Sequence, residues 1–363
     1  MSPESPLSPS RPENVEVTVI IPVFNGAEQG IQKTVESVLS QRNVKLRLTL
    51  VDDGSTDDSI RICRKFESLD PRISLVSHPA NRGLSASLND GIRVATTPFV
   101  CILQQDCSLA DEDVLGTGLG ILQSDPRVGV LVGYESRPDN GWNKWQWISE
   151  CRLSHLPLGK FGTGLRRVGQ SENKCDLMRM DVLVQVGPFD TELRTSGEDQ
   201  VFSRKVLSLG LTLANASGFH FRGTHAGEDS FRKVCRREWR YGTYVLQTMS
   251  RRSRIRTGAK SDIPGTKDRE RATTIAWPMA SAVIILAAIL IHDVWLASLL
   301  AAPVIARIIV VRLKHIRHLS GAPAFVTGAW YYAVTILLDL LYSVGVVAGL
   351  SRLFAGSSGR QPR

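Results

Sequence analysis

The chain has 363 residues, of which 43% are hydrophobic and 22% charged, and its formal net charge is +9 at pH 7. This composition is globular, and the length allows one large domain or two small ones. The charge is concentrated between residues 231 and 271, which hold 13 Lys and Arg against 4 Asp and Glu. Such a run favours anionic lipid headgroups or nucleic acid. Because no nucleic-acid fold signature accompanies it, membrane lipids are the expected partner and nucleic acid is not.

The cysteines and the first residues indicate the compartment. The six cysteines form no C-x-x-C pair and no regular framework, which is typical of reduced cytosolic thiols. Residues 1–14 are rich in Pro and Ser and lack the apolar core of a signal peptide, so we expect a disordered tail.

Short apolar runs alternate with helical periodicity along the first 250 residues. The predicted strands are Val15–Pro22, Leu46–Val51, Ile73–Val76, Phe99–Leu103, Val128–Val132 and Leu211–Ala216. The predicted helices are Ile31–Leu39, Asp58–Leu69, Gly83–Ala95, Asp181–Val186, Gln200–Leu209 and Phe231–Met249. This alternation predicts an α/β fold with right-handed crossovers and a mainly parallel, doubly wound sheet.

Polar side chains stand where three of these strands end. Asn25 follows the first strand, Asp52 and Asp53 follow the second, and Asp106 follows the buried run Phe99–Leu103. An open α/β sheet binds its ligand at the carboxyl ends of its strands. No G-x-G-x-x-G follows the first strand, which argues against a dinucleotide-dependent dehydrogenase.

The second half contributes further candidates, each with a structural alternative. The aromatic run 142–147 is either packing or a platform for a sugar ring, and the Gly-rich run 159–169 is expected to be a mobile loop. Glu198 and Asp199 open a helix, where acidic residues often only cap free N–H groups. The helix Phe231–Met249 is basic and amphipathic, as in helices that lie in the headgroup plane.

Long apolar stretches near the C-terminus predict transmembrane helices at about 275–291, 294–311 and 325–350. The basic residues before and between them place the preceding domain on the cytoplasmic face of an integral membrane protein. The expected organisation is a tail (1–14), a catalytic domain (15–225), a basic interfacial segment (226–271), the membrane region (272–351) and a second tail (352–363).

Six motifs occur in order between about residues 15 and 242. They read TVIIPVFNG, LVDDGSTDDS, NRGLSASLNDGI, ILQQD, GPFDTELRTSGEDQVFSRKVLSLG and SFRKVCRREWRYG. Together they resemble the family 2 glycosyltransferases, which are inverting enzymes with the GT-A fold, a Rossmann-like nucleotide-diphospho-sugar transferase domain. The resemblance implies an enzyme that takes a sugar from a UDP-, GDP- or dTDP-sugar donor.

The resemblance also implies roles for single residues near the nucleotide. Asp53 would accept a hydrogen bond from the base, Asp52 would support the turn, and Arg82 would face the diphosphate. The remaining expected nucleotide contacts are Pro22, Phe24, Asn25, Gln104 and Gln105.

At the reacting end, the resemblance implies a metal and a base. Asp106 and His225 would hold Mn²⁺ or Mg²⁺, with His220 as the competitor of His225. Asp199, beside Glu198, would be the general base of a single displacement. Arg236, Arg237 and Trp239 would close over the diphosphate or the acceptor.

Two departures from the family pattern bear on the function. Gln104 replaces the first acid of the metal-binding D-x-D motif, and RREWR replaces the Q-x-x-R-W signature of processive synthases. We therefore expect transfer of one sugar to a lipid-linked or membrane-embedded acceptor, such as a polyprenyl phosphate. The alternatives are a transferase that extends a polysaccharide or O-antigen-type chain, and a non-catalytic scaffold that binds a nucleotide sugar.

Overall fold

The computed structural model describes residues 15–136, 142–153, 164–193, 196–255 and 329–355. The chain divides into two compact units. The first consists of Met1–Asp139, Gly159–Ala226 and Arg251–Thr266, and the second of Asn140–Leu158, Gly227–Ser250 and Lys267–Arg363. The two expected tails, residues 1–14 and most of 352–363, lie outside the described residues.

The first unit is built on an eight-stranded sheet and a three-stranded sheet. The strands are β1 (Glu16–Val23), β2 (Lys45–Asp52), β3 (Ile73–Ser77), β4 (Phe99–Leu103), β5 (Cys107–Leu109), β6 (Val128–Val132), β7 (Tyr134–Glu135), β8 (Leu165–Val168), β9 (Cys175–Arg179), β10 (Thr212–Ala216) and β11 (His220–Gly223). The large sheet has the order β3-β2-β1-β4-β9-β6-β10-β8, and the small one the order β5-β11-β7.

Six α-helices among the described residues belong to this unit. They are α1 (Ile31–Leu39), α2 (Ser59–Leu69), α3 (Leu84–Val94), α4 (Val114–Ser124), α6 (Met180–Val186) and α7 (Glu198–Ser208). The helix between α4 and α6, α5 (Lys144–Leu153), belongs to the second unit. Seven of the eight residues of β1 and all five of β4 are buried. Strands buried on both faces read as continuous apolar runs, which explains why these two were visible in the sequence.

The sheet is less parallel than the sequence pattern predicts. Strand β9 lies between β4 and β6 and is antiparallel to both, and β8 pairs antiparallel with β10 at the sheet edge. Residues 165–168, expected in a loop, form β8, and residues 159–163 lie outside the described residues. Three of the four β8 side chains are exposed, so backbone pairing holds this edge strand without a hydrophobic signal.

The second unit contains α5, most of α8 (Phe231–Ser253) and α9 (Ala329–Ala355). Its buried apolar cluster joins Ile148 of α5, Val234 of α8 and Leu338 of α9. The aromatic run of α5 packs internally, since Trp145 contacts Phe231 and Trp330 with ring centroids 5.0 and 5.5 Å apart. These contacts favour the packing interpretation of the run.

The predicted membrane anchor has no support among the described residues. Residues 275–291 and 294–311 lie outside them, while 325–350 is described from residue 329 onward as part of α9. Within the described part of the chain, no helix combines the length and the apolar character needed to cross a bilayer. The anchor therefore stays a prediction.

Candidate functional site

The carboxyl ends of three neighbouring strands meet at one edge of the large sheet. Strand β1 is parallel to both β2 and β4, with Val23 opposite Asp52 and Ile20 opposite Ile102. The loops that follow these strands are tied together. Asn25 Oδ1 accepts a hydrogen bond from Thr56 N at 2.9 Å, and Asn25 N donates to Ser55 Oγ at 3.0 Å. Asn25 adopts φ 50°, a left-handed conformation that Asn tolerates well.

Gln105 joins the β4 end to this edge. Phe24 N donates to Gln105 Oε1 at 2.8 Å, and Gln105 Nε2 donates to Phe24 O at 3.0 Å. The Phe24 ring is 41% exposed, so an aromatic face stands open beside the strand ends. Pro22 is buried within β1 and shapes the strand rather than presenting a surface. The predicted nucleotide contacts of the first, second and fourth strands thus lie along one edge.

The two acids after β2 differ in their partners. Asp53 Oδ1 accepts from Arg82 N at 2.9 Å, and Oδ2 accepts from Gly83 N at 2.8 Å. His78 Nδ1 lies 2.7 Å from the same Oδ1. Asp52 is equally buried, yet its Oδ1 has no hydrogen-bond partner among the described residues. The hydrogen bonds of Asp53 therefore support the turn at Arg82 and Gly83. Of the two acids, Asp52 is the one with a buried oxygen that no described residue hydrogen-bonds.

His78 connects Asp53 to Asp90 on α3. Its Nε2 lies 2.9 Å from Asp90 Oδ2, which also accepts from Arg82 Nη1 at 2.6 Å. Arg93 completes the ring around Asp90 at 2.8 Å. The Arg82 guanidinium is thus paired with Asp90, so the expectation that it faces a diphosphate stays without structural support.

A second charged cluster surrounds Asp106, which lies three residues beyond the end of β4. Glu135 Oε1 lies 2.6 Å from His225 Nε2 and accepts from Gly223 N at 3.2 Å. Glu135 Oε2 lies 3.5 Å from Lys174 Nζ. His225 adopts φ 51°, uncommon for a residue with a side chain and frequent at functional sites. The structure brings Asp106 and His225 into one cluster, as the sequence predicts, and adds Glu135 and Lys174.

The surroundings of this cluster shift the pKa values of its two acids in opposite directions. Burial raises the pKa of Asp106, and the charges of Lys174 and His225 only partly oppose that rise. Burial acts on Glu135 in the same sense, but Lys174 and His225 outweigh it and hold the pKa of Glu135 below its usual value. His220 lies elsewhere, with its Nε2 3.1 Å from Asp111 Oδ2 and its Nδ1 2.8 Å from Ser136 Oγ.

The donor atoms of the cluster fit a divalent cation only in part. Among the described residues, no group of three or more His, Cys, Asp or Glu side chains could hold a metal by itself. Mg²⁺ and similar hard cations are commonly held by one or two carboxylates and complete their coordination with substrate phosphates. Asp106 and His225 fit a cation that takes its remaining ligands from a bound diphosphate.

The predicted base stands at the start of α7. Gly197 precedes the helix with φ 95°, a conformation that favours glycine, and Glu198 is buried behind it. Asp199 is partly exposed, and its Oδ1 accepts from Gln200 N at 2.7 Å. One carboxylate oxygen is thus engaged locally, as in a helix cap, so the structure permits both the cap and the base interpretations.

A fully buried acid, Asp176, lies in the middle of the sheet on β9. Its Oδ2 accepts from Ser171 Oγ at 2.5 Å and from Asn173 N at 2.9 Å, while Oδ1 has no hydrogen-bond partner in the described part of the chain. Burial raises the pKa of Asp176 to about 7, although those hydrogen bonds oppose the rise. Asp199 and Glu172 add a repulsion that raises it further.

This acid should make stability depend on pH. Because the folded Asp176 binds its proton more tightly than the unfolded chain does, its contribution to the free energy of unfolding falls between about pH 4 and pH 7. The loss approaches about 4 kcal/mol at 1.36 kcal/mol per unit. Asp176→Asn should therefore gain stability relative to the native protein as pH rises from 4 to 8, measured by urea unfolding. A difference between the two proteins that does not change with pH would contradict this.

Three further candidates lie on α8, in the second unit. Arg236 and Trp239 are exposed, as contacts to an outside ligand require. Arg237 is buried instead, with its guanidinium paired to Glu228 and, at 2.9 Å, to Glu238. The expectation that Arg237 closes over a ligand is therefore corrected, since its charge is neutralised within its own unit.

The sequence interpretation missed four residues of the two clusters. Glu135 follows an apolar strand, the same signal that identified Asp106, and could have been found by that rule. His78 and Lys174 lie outside the six motifs, and Asp90 lies inside NRGLSASLNDGI but was given no role there.

Comparison with known proteins bears on this geometry. Residues 18–176 match the profile of the family described as "Glycosyl transferase family 2". Glycosyltransferase AglE of Haloferax volcanii is 28% identical over 240 residues, covering 64% of this chain and 73% of its own length. The uncharacterized protein y4gI of Sinorhizobium fredii is 28% identical over 42% of this chain, which spans only 18% of that protein.

The fold is also shared with a solved structure. Mannosyltransferase PcManGT of Pyrobaculum calidifontis, in complex with GDP-Man and Mn²⁺, superposes with a TM-score of 0.66 at 20% identity, over 95% of this chain and 89% of its own. The likeness shows a mixed α/β, GT-A-like fold. With the family profile and the named relatives, it identifies the chain as a glycosyltransferase. The match to the family 2 profile covers residues 18–176, which is less than half of the chain.

Proposed function

We propose that this glycosyltransferase moves a sugar from a nucleotide-sugar donor to a lipid-linked or membrane-embedded acceptor, with inversion, in a single displacement. The observation that carries the proposal is the shared edge of β1, β2 and β4. There Asp52, the exposed Phe24 ring and the Asp106 cluster line one side of the sheet. PcManGT, which shares the fold, is described in complex with GDP-Man and Mn²⁺.

The residues of the edge divide the task of holding the donor. The strand ends with Asp52, Phe24 and Asn25 receive the nucleoside, and the Asp106 cluster receives the diphosphate. Asp106 and His225 would hold a divalent cation, whose charge neutralises the leaving nucleoside diphosphate when it is bound.

Asp199 takes the proton of an acceptor hydroxyl. The oxygen of that hydroxyl attacks the anomeric carbon on the face opposite the diphosphate. One bond forms from that oxygen, one breaks to the diphosphate oxygen, and no covalent enzyme intermediate is needed.

The acceptor class rests on chain composition and on one relative. The basic run between residues 231 and 271 suits an anionic membrane surface on the cytoplasmic side. Glucosyl-dolichyl phosphate glucuronosyltransferase of Haloferax volcanii is 25% identical over 52% of this chain and 60% of its own length. Its name includes a dolichyl phosphate, which favours a polyprenyl-phosphate-linked acceptor here.

A donor screen tests the proposal. UDP-, GDP- and dTDP-sugars are incubated with the full chain and membranes supplied with polyprenyl phosphate or a polyprenyl-linked sugar, and nucleoside diphosphate release is measured. We expect one donor class to be consumed in the presence of Mn²⁺ or Mg²⁺. Asp106→Asn should lower that rate by about a hundredfold or more, since metal neutralisation is worth several kcal/mol.

The screen also separates the alternatives. Repeated addition to one acceptor would support a chain-extending polysaccharide or O-antigen-type transferase. Donor binding without any release would support a non-catalytic scaffold. Release that is unchanged in Asp106→Asn would contradict the role of Asp106 at the metal.

A further inference from the structure

The residue facing the altered D-x-D motif is a lysine. Strand β9 runs antiparallel to β4 with Cys175 opposite Leu103, and the next backbone hydrogen bond joins Gln104 N to Lys174 O at 2.9 Å. Residues directly opposite in an antiparallel pair place their side chains on the same face. Lys174 therefore lies across from Gln104. Gln104 is the position at which the family pattern has an acid.

Two acids contact the Lys174 ammonium at long distances. Its Nζ lies 3.5 Å from Glu135 Oε2 and 3.4 Å from Glu172 Oε2. Tight ammonium–carboxylate hydrogen bonds measure about 2.7–2.9 Å, so both contacts are long. The side chain is 28% exposed, while that of Glu135 is 7% exposed. An incoming anion can therefore reach the Lys174 ammonium, whereas the Glu135 carboxylate is shielded from solvent.

Glu135 has other support if Lys174 moves away. His225 Nε2 lies 2.6 Å from Glu135 Oε1, and Gly223 N donates to the same oxygen at 3.2 Å. The buried acid therefore keeps two partners without the lysine. This arrangement lets Lys174 exchange one anion for another without leaving an isolated buried charge.

We propose, resting on the proposed function, that Lys174 binds the diphosphate of the donor and supplies part of the positive charge that stabilises it. Lys174 moves from Glu135 and Glu172 to a phosphate oxygen when the donor enters. The Lys174 ammonium then contacts the leaving diphosphate, in addition to any metal at Asp106. Glu135 limits this binding, because it competes for the same ammonium.

Binding of inorganic diphosphate tests the proposal without turnover. Isothermal titration calorimetry with the full chain in EDTA is expected to show diphosphate binding that Lys174→Met weakens by roughly tenfold or more. Lys174→Arg should keep most of the affinity. Glu135→Gln should tighten binding by several-fold, a gain that misfolding cannot produce. Lys45→Met is the matched control, since Lys45 is exposed at the opposite, amino end of β2 and should leave binding unchanged.

A second titration uses Mn²⁺ alone. Removing the ammonium beside Asp106 and Glu135 should raise Mn²⁺ affinity in Lys174→Met, because a cation no longer repels the incoming metal. Unchanged diphosphate affinity in both Lys174→Met and Glu135→Gln would overturn the role of Lys174, while donor consumption by the native protein would leave the proposed function standing. A native protein that binds no diphosphate and consumes no donor would overturn both.

Discussion

Asp199→Asn is expected to lower sugar transfer to a hydroxyl acceptor by about 10²–10⁴-fold, the usual contribution of a general base. The amide keeps the shape of the side chain and can still accept from Gln200 N, so the start of α7 should be preserved. Donor binding should stay within about twofold, because a group that acts only in the transition state does not hold the ground state. Single-turnover rates and equilibrium binding of the nucleoside diphosphate separate the two effects.

Asp181→Asn is the matched control for this experiment. Asp181 is also an acid in a first helical turn, on α6, and its Oδ1 accepts from Val182 N at 2.8 Å. If Asp199 were only a helix cap, both substitutions would cost a similar, small amount of stability and neither would slow transfer. Near-native transfer by Asp199→Asn would therefore assign it the cap role.

The fold was predictable where burial leaves a pattern in the chain. Strands β1 and β4 are buried apolar runs, and α1 repeats its apolar residues at helical spacing, so each was found within a residue of its bounds. Strand β9 was missed because Asp176 interrupts its apolar run, although that acid is itself buried. Sequence periodicity reports average environments and does not reveal a buried polar residue.

The candidate site was predictable where function follows strand ends. Asp106 and His225, more than a hundred residues apart, were expected to meet and lie in one cluster. Hydrogen-bond partners were not predictable, since they depend on side chains from unrelated segments. Arg82 is an example. Its motif suggests a ligand of the diphosphate, but in the structure its guanidinium is paired with Asp90.

The same limit applies to the two acids after β2, and it leads to opposite predictions for Asp53 and Asp52. Asp53→Asn should lower the free energy of unfolding by about 3 kcal/mol, because an amide cannot accept from both Arg82 N and Gly83 N through two oxygens. Asp52→Asn should change stability by less than about 1 kcal/mol, since its Oδ1 loses no partner in the described part of the chain.

Nucleotide affinity should be affected in the reverse order, with the larger loss in Asp52→Asn and the smaller in Asp53→Asn. Asp52 carries the buried oxygen that a base N–H could satisfy, so Asp52→Asn should weaken nucleoside binding by about tenfold or more, as for a lost charged hydrogen bond. Urea unfolding and calorimetric titration of both variants with UDP and GDP decide the matter. If Asp53→Asn folds with native stability yet loses nucleoside affinity, the family-based assignment of Asp53 to the base holds and its hydrogen bonds to residues 82 and 83 are secondary. The opposite pattern would mean that Asp53 shapes the turn after β3 and that Asp52 reads the base.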